Sequence, residues 1–246
     1  MTAPSPLLLV ENLVKNFRGL RAVDGVSFQV NAGDIVALIG PNGAGKTTVF
    51  NMIAGSLQPD AGRIELAGRS LAGLRPDQVC RAGVGRTFQL VKPFGNISVE
   101  ENVVIGALRW TGDVAEARRL AREVLDLLGL ADKRRLPARS LTLPDRKCLE
   151  VARALATRPK LLLLDEVMAG LRPAETDRMV AIFQRLNRDS GLTIVLIEHV
   201  MRAVMALSHR VVVINSGKPV CEGGPAEVVR DPRVLECYLG EEAARC

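Results

Sequence analysis

The residues with the clearest chemical capacity are Gly40, Pro41, Asn42, Gly43, Ala44, Gly45, Lys46, Thr47 and Thr48. Their spacing fits G-x-x-x-x-G-K-[ST], a loop that wraps a polyphosphate. Its glycines let backbone N–H groups turn inward toward a β-phosphate, and a helix opening at the loop's end adds partial positive charge. Lys46 is expected to bridge the β- and γ-phosphates, and the Thr47 hydroxyl to ligate Mg2+. An ordinary glycine-rich turn would not require the apolar run 35–39 before the loop or the helical pattern 43–54 after it.

A second set lies in Leu161-Leu162-Leu163-Leu164-Asp165-Glu166. An apolar strand would carry two carboxylates to its C-terminal edge, where open α/β sheets bind ligands. Asp165 fits the Mg2+-supporting carboxylate of P-loop enzymes, and Glu166 is placed to polarise an attacking water. Alone, an Asp-Glu pair at a strand end reads as a solvated terminus; with a phosphate loop it reads as the other half of one site. His199 follows the apolar run 193–197 and Glu198. If that run lies in the same sheet, its imidazole reaches a γ-phosphate. His209, the other histidine, lacks this context and is expected to be structural.

These residues need a sheet to hold them. Short apolar runs punctuated by Gly, Asn and Asp predict strands at 7–10, 26–30, 35–39 and 63–66. The helical pattern 43–54 closes at Gly55. Between 91 and 146 the character becomes helical. Ser98-Val99-Glu100-Glu101 forms a capping box, and 115–130 has apolar residues at helical spacing up to Gly129. Further on, 161–164, 193–197 and 210–214 are apolar runs separated by helical patterns, which predicts a buried, largely parallel sheet with crossover helices. The turn Asn215-Ser216-Gly217-Lys218 predicts a hairpin back into 219–222. The fold class is α/β, with a nucleotide-binding core in 1–90 and 147–246 and a helical subdomain, 91–146, inserted in it.

With 48% hydrophobic and 24% charged residues among 246, the chain is a globular protein with room for one large domain. Aromatics are only 3%, so Leu, Val, Ile and Ala must build the core. A net charge of +6 suits a polyanionic ligand but is too diffuse to imply nucleic acid. No stretch approaches the roughly 18 uninterrupted apolar residues of a membrane span, and 1–10 lacks a basic lead and a cleavage site, so the expected compartment is the cytosol. Cys80, Cys148, Cys221, Cys237 and Cys246 are dispersed without C-x-x-C spacing and read as reduced thiols.

With these motifs in this order, the chain resembles the ATP-binding cassette (ABC) ATPases over essentially its whole length. The resemblance implies a P-loop, RecA-like core with an N-terminal antiparallel β part and an inserted helical subdomain. It implies ATP and Mg2+ as cofactors. It puts Phe17 where the family stacks an aromatic on adenine, and Gln89, in Gly85-Arg86-Thr87-Phe88-Gln89, where a glutamine senses Mg2+ and the attacking water. On that basis Thr47, Gln89 and Asp165 contact the metal, and Glu166, His199 and Gln89 are catalytic. A finer resemblance, carried by 22–28, 86–89 and 231–240, is to the ATPases of branched-chain amino-acid importers. It implies a second, similar ATPase as heterodimer partner, two membrane permeases and, indirectly, a periplasmic binding protein. It also implies no nucleic-acid partner and a peripheral position on the cytoplasmic face of the inner membrane. Urea and short-chain amide importers share this branch and stay open as the alternative.

The family signature is Leu-Ser-Gly-Gly-Gln; here it reads Leu141-Thr142-Leu143-Pro144-Asp145. Thr142 keeps a hydroxyl, but the glycines and the amide are gone, Pro144 has no N–H, and Asp145 is expected to bring negative charge near a phosphate. The same segment reads as a helix start, with Thr142-x-x-Asp145 a capping box and Pro144 in the first turn. Val167-Met168 replaces the family's Pro-Thr or Pro-Ala, and Arg172 stands where Asp or Asn is common in the D-loop. Three functions compete: a transport ATPase, a soluble cassette acting on nucleic acid or ribosomes, and a degenerate, mainly regulatory subunit. The second usually fuses two cassettes in one chain, and intact Lys46, Asp165, Glu166 and His199 oppose the third. In a transporter, Leu90, Val91, Pro93 and Phe94 are candidate permease contacts; filling the subdomain interface is the equal alternative.

Overall fold

A computed structural model describes residues 5–89 and 92–243; Leu90, Val91 and Cys246, which carried expectations above, lie outside them. The strands are β1 (Leu8–Phe17), β2 (Leu20–Val30), β3 (Ile35–Ile39), β4 (Ala61–Leu66), β5 (Arg69–Ser70), β6 (Val84–Arg86), β7 (Leu161–Asp165), β8 (Thr193–Ile197), β9 (Arg210–Asn215) and β10 (Lys218–Gly223). An antiparallel sheet takes the order β2-β1-β4-β5, and a second sheet the order β10-β9-β3-β8-β7-β6. In the second, β9, β3, β8, β7 and β6 run parallel, while β10 returns antiparallel on β9 as the hairpin expected from the turn.

The apolar runs are continuous because both faces of the parallel sheet are covered. Val36 and Leu38 face a core shared with β1 and β2, whereas Ile35, Ala37 and Ile39 face the core on the other side. Leu161 and Leu163 divide from Leu162 and Leu164 in the same way.

The helices are α1 (Lys46–Ile53), α2 (Pro76–Ala82), α3 (Val99–Ala107), α4 (Val114–Leu127), α5 (Leu143–Leu155), α6 (Pro173–Ser190), α7 (Met201–Leu207), α8 (Pro225–Val228) and α9 (Pro232–Ala243). α1 begins at Lys46 rather than 43, because Gly43 and Gly45 hold positive φ in the loop before it. β1 and β2 run further than their apolar residues suggest. Polar contacts sustain the extension: Asp60 accepts from the Lys15 Nζ and the Asn16 backbone N–H, each at 2.7 Å.

The helical part grows from its caps. Ser98 Oγ accepts from the Glu101 N–H at 3.1 Å, and the Glu101 carboxylate accepts from the Ser98 N–H at 2.8 Å, the reciprocal box expected there. Asp113 caps α4, and Gly129, in left-handed φ, follows its end. Buried Val103, Leu120, Leu125 and Leu149 bring α3, α4 and α5 into one core. The expected limit between 146 and 147 falls inside α5, which runs unbroken across it.

At the start of α5 the expected capping box forms only in part. Thr142 Oγ1 takes a long contact from the Asp145 N–H at 3.5 Å, but the Asp145 carboxylate does not reach back to the Thr142 N–H. It turns inward instead, accepting from Lys133 Nζ at 2.8 Å on each oxygen and from the Thr142 hydroxyl at 2.7 Å. Burial pushes the Asp145 carboxyl up, but Lys133 and Thr142 outweigh it and hold it below the ordinary range.

A carboxyl with a depressed folded pKa contributes stability above its unfolded pKa and loses it as pH falls through the folded value. Lys133→Met should therefore cost about 1–2 kcal/mol at neutral pH, less than a fully buried pair because Lys133 is one-third exposed. The cost should persist from neutral pH down to roughly 5, then close below the ordinary carboxylate value of about 3.9. Urea unfolding of both proteins across this range checks it, and a gap independent of pH would contradict the pairing.

Candidate functional site

The strand order decides which residues meet. β8 lies between β3 and β7, and β6 lies beside β7. These strands are parallel, so the 40–48 loop, Glu198-His199, Asp165-Glu166 and 87–89 all leave the same sheet edge. The loop packs too closely for side chains at two of its glycines. A Cβ on Gly40 would stand 1.9 Å from the Ile214 carbonyl oxygen, and one on Gly45 2.4 Å from that of Ala22. Lys46 is buried, and its Nζ donates to the Gly40 and Pro41 carbonyls at 2.7 Å each, so the ammonium lies folded over its own loop. Phe17, Asn42, Gly43, Ala44, Gly45, Lys46, Thr47, Thr48, Gln89 and Glu166 line one open cleft of about 420 Å³. Phe17, 44% exposed, presents its ring to that cleft.

Glu166 is the meeting point. Its Oε2 accepts from Gln89 Nε2 at 2.6 Å, and its Oε1 lies 2.8 Å from His199 Nε2. The sequence-derived trio is thus one hydrogen-bonded group, with the histidine and the glutamine on opposite carboxylate oxygens. A carboxylate oriented in this way can accept a proton from a water in the cleft.

Asp165 does not line the cleft. It is 1% exposed, and its Oδ2 accepts from Arg86 Nη2 at 3.1 Å. Arg86 in turn donates to Asn51 Oδ1 at 2.7 Å, tying β7, β6 and α1 together. Burial pushes the Asp165 carboxyl up, and Arg86 opposes that rise. In the sequence Arg86 stands out only as part of a family motif. No physical signal in the sequence marks it, because β6 is only Val84-Gly85-Arg86. Asp165 Oδ1 is buried and lacks a partner among the described residues. Together with the exposed Thr47 hydroxyl it makes a sparse oxygen set, which suits Mg2+ held mainly by nucleotide phosphates. Among the described residues no cluster of three or more His, Cys, Asp or Glu could hold a metal by itself.

Glu198 is the site residue that the sequence left unread. It is 1% exposed, and its Oε1 accepts from the Met168 N–H at 2.8 Å. Burial pushes it up to about 7. The unusual Val167 and Met168 are both buried, so they serve the core beneath the turn after Glu166. Arg172 opens α6, its N–H donating to Glu175 Oε2 at 2.8 Å. His209 is structural: its Nδ1 accepts from the Ile35 N–H at 3.2 Å. The altered signature needs one correction. Asp145 was expected to bring negative charge near a phosphate; it is buried and paired with Lys133 instead, while Thr142 and Leu143 are exposed.

Residues 23–169 match the ABC transporter family, and residues 218–244 match the family described as branched-chain amino acid ATP-binding cassette transporter. The chain is 39% identical to the high-affinity branched-chain amino acid transport ATP-binding protein BraF of Pseudomonas aeruginosa and 41% identical to LivG of Salmonella typhimurium. Each match covers 96% of this chain and 98% of the relative. At the same coverage it is 36% identical to the lipopolysaccharide export system ATP-binding protein LptB of Escherichia coli. The ADP conformation of an ATP-binding cassette of an ABC transporter superposes with a TM-score of 0.87 at 31% identity, over 96% of this chain and 99% of that one. A phosphate loop, a paired acidic strand end and a histidine just after the intervening strand thus stand in a chain similar over nearly its whole length to ATP-binding proteins of transport systems, and the chain belongs to the ABC transporter family as an ATP-binding cassette.

Proposed function

We propose that this chain hydrolyses ATP as one of two cassettes that energise import of branched-chain amino acids. The observation that carries the hydrolytic part is the convergence of Gln89 and His199 on Glu166 at the wall of the phosphate-loop cleft. The match at 218–244 supports the amino-acid branch over lipopolysaccharide export, because it covers β10 and the C-terminal helices α8 and α9.

In this reading Phe17 stacks on adenine, and the 40–48 backbone wraps the β-phosphate. Lys46 leaves its loop carbonyls for the β- and γ-phosphates. Thr47 and Asp165, with Gln89 nearby, would hold Mg2+, which would supply positive charge against the phosphates. Glu166 takes the proton of the attacking water as that water's oxygen bonds the γ-phosphorus and the bridging oxygen leaves with ADP. His199 orients Glu166 and contacts the γ-phosphate.

The partners follow from the same reading. A second, similar cassette supplies its signature to this chain's nucleotide, and this chain's 141–145 serves the partner's. Of the two permeases, one docks at this chain's groove lined by Arg86, Phe88, Ile105, Glu150 and Arg153, where Phe88 is 56% and nearby Phe94 51% exposed. Arg153 stacks over Phe94 at 5.1 Å and pairs with Glu150 at 3.0 Å, presenting an aromatic rim on a charged floor. Among the described residues no helix is long and apolar enough to cross a membrane, which suits a peripheral subunit on the cytoplasmic face. A periplasmic binding protein would deliver the solute to the permeases.

Glu166→Gln in the assembled transporter should leave ATP affinity near wild type and lower hydrolysis by about 10²–10⁴-fold, whereas Lys46→Ala should weaken nucleotide binding itself. Fluorescent-nucleotide titration and phosphate release separate the two effects. Near-normal turnover with Glu166→Gln would remove this site from the motor.

The two composite ATP sites should also be unequal. The site completed by 141–145 lacks the glycine N–H groups, and loss of one preorganised donor costs about 10²–10³-fold in rate. Replacing the partner's equivalent glutamate should therefore reduce turnover mildly. Leu143→Gly with Pro144→Gly, leaving Asp145 on Lys133, should raise turnover at that weaker site. Equal losses from the two glutamate replacements would show that the altered signature has no kinetic consequence.

A further inference from the structure

Lys147 has no role in that mechanism, yet it is buried at 6% exposure on α5, against the reactive edge of the sheet. Its Nζ donates to the backbone carbonyl of Glu166 at 3.0 Å. We infer that Lys147 is a positioning residue for Glu166, fixing the proposed base to the helix that opens on the altered signature.

The backbone of Glu166 needs such a restraint. It is a non-glycine residue at φ 50, in the left-handed region that a side chain disfavours. A residue persists there only when its surroundings hold it. Its N–H is held by the Ile197 carbonyl at 2.9 Å, and its carbonyl by Lys147 and, through a tight turn, by the Ala169 N–H at 3.2 Å. Of these only Lys147 comes from outside the strand ends and the turn. Without Lys147 the carbonyl keeps only the longer bond from the Ala169 N–H, and the strained backbone that aims the carboxylate at Gln89 and His199 loses its one restraint from α5.

A buried ammonium is costly unless negative charge faces it. Lys147 is within electrostatic reach of both Glu198 and Glu166. Glu198, buried beside the turn, has one oxygen on the Met168 N–H and the other without a partner among the described residues. Burial pulls the Lys147 amine down and the two glutamates oppose that pull, so the side chain lies beside them, pointed at the peptide that carries the base. α5 makes the contact directional. Leu143, 47% exposed, lies at its open tip, and Lys147 follows about one turn later, at 1.5 Å per residue. A shift of α5 along its axis is delivered to the Glu166 carbonyl without passing through any loop.

This inference rests on Glu166 being the base, so the test is a double-mutant cycle in the assembled transporter. Lys147→Met keeps the aliphatic stem and removes the donor; Lys147→Arg restores a donor. Lys147→Met should lower kcat about ten- to hundred-fold, the scale of a misplaced catalytic group, with KM for ATP unchanged within about two-fold. Lys147→Arg should recover most of the loss. In the Glu166→Gln background, Lys147→Met should cause no further fall, because its effect passes through the base. Equal losses in Met and Arg, a raised KM with kcat intact, or losses that multiply with Glu166→Gln would each overturn the assignment. If Lys147→Met does not assemble, Lys147→Leu, which also lacks a donor, is read by the same criteria. Failure of the functional reading shows separately, as full turnover in Glu166→Gln alone.

Discussion

The structure depends on holding one carboxylate. Glu166 leaves an apolar strand with its backbone in the left-handed region and its two oxygens on Gln89 and His199. None of these contacts is local. Gln89 follows β6, His199 follows β8, and the two strands flank β7 on opposite sides. A carboxylate held from both sides spends little reorganisation when a water presents its proton, which is what preorganisation contributes to rate. Strand order is therefore the constraint that matters. Any other arrangement of β6, β7 and β8 would leave the glutamine or the histidine out of reach.

That order is maintained by burying both faces of the sheet. Alternate residues of β3 and β7 enter two separate cores, so a one-residue register slip would exchange every side chain between them. The charged groups at the edge are tied to this frame. Arg86 joins Asp165 to Asn51 at the cost of a buried guanidinium, and its Nε has no partner among the described residues. Removing either member of the Arg86–Asp165 pair would leave a buried, uncompensated charge. Rigidity at this edge contrasts with exposure at the groove beyond it, where Phe88 and Phe94 face outward.

Much of this was legible in the sequence because the phosphate loop and the acidic strand end are local patterns with a physical reason for each residue. The parallel core strands were readable from their apolar runs, and the Ser98 cap from its spacing. What was not legible depends on contacts between distant segments. Asp145 reads as a charge close to phosphate, but Lys133, twelve residues earlier, takes it inward. β1 outran its apolar residues because Asp60 supplies polar partners from another strand's approach. Glu198 gave no sign of burial beside a histidine that drew attention. The α1 start was misplaced for a more local reason: a helical apolar pattern cannot show that two of its glycines carry positive φ.

The central claim is that hydrolysis takes place on nucleotide held by this chain's own loop. The direct measurement is orthovanadate trapping of photoreactive azido-ATP in the assembled, ATP-turning transporter, followed by mapping of the labelled peptides. The account predicts vanadate-dependent label on this chain, in peptides of the cleft lined by Phe17 and the 40–48 loop. Label confined to the partner cassette, with none on this chain, would contradict it.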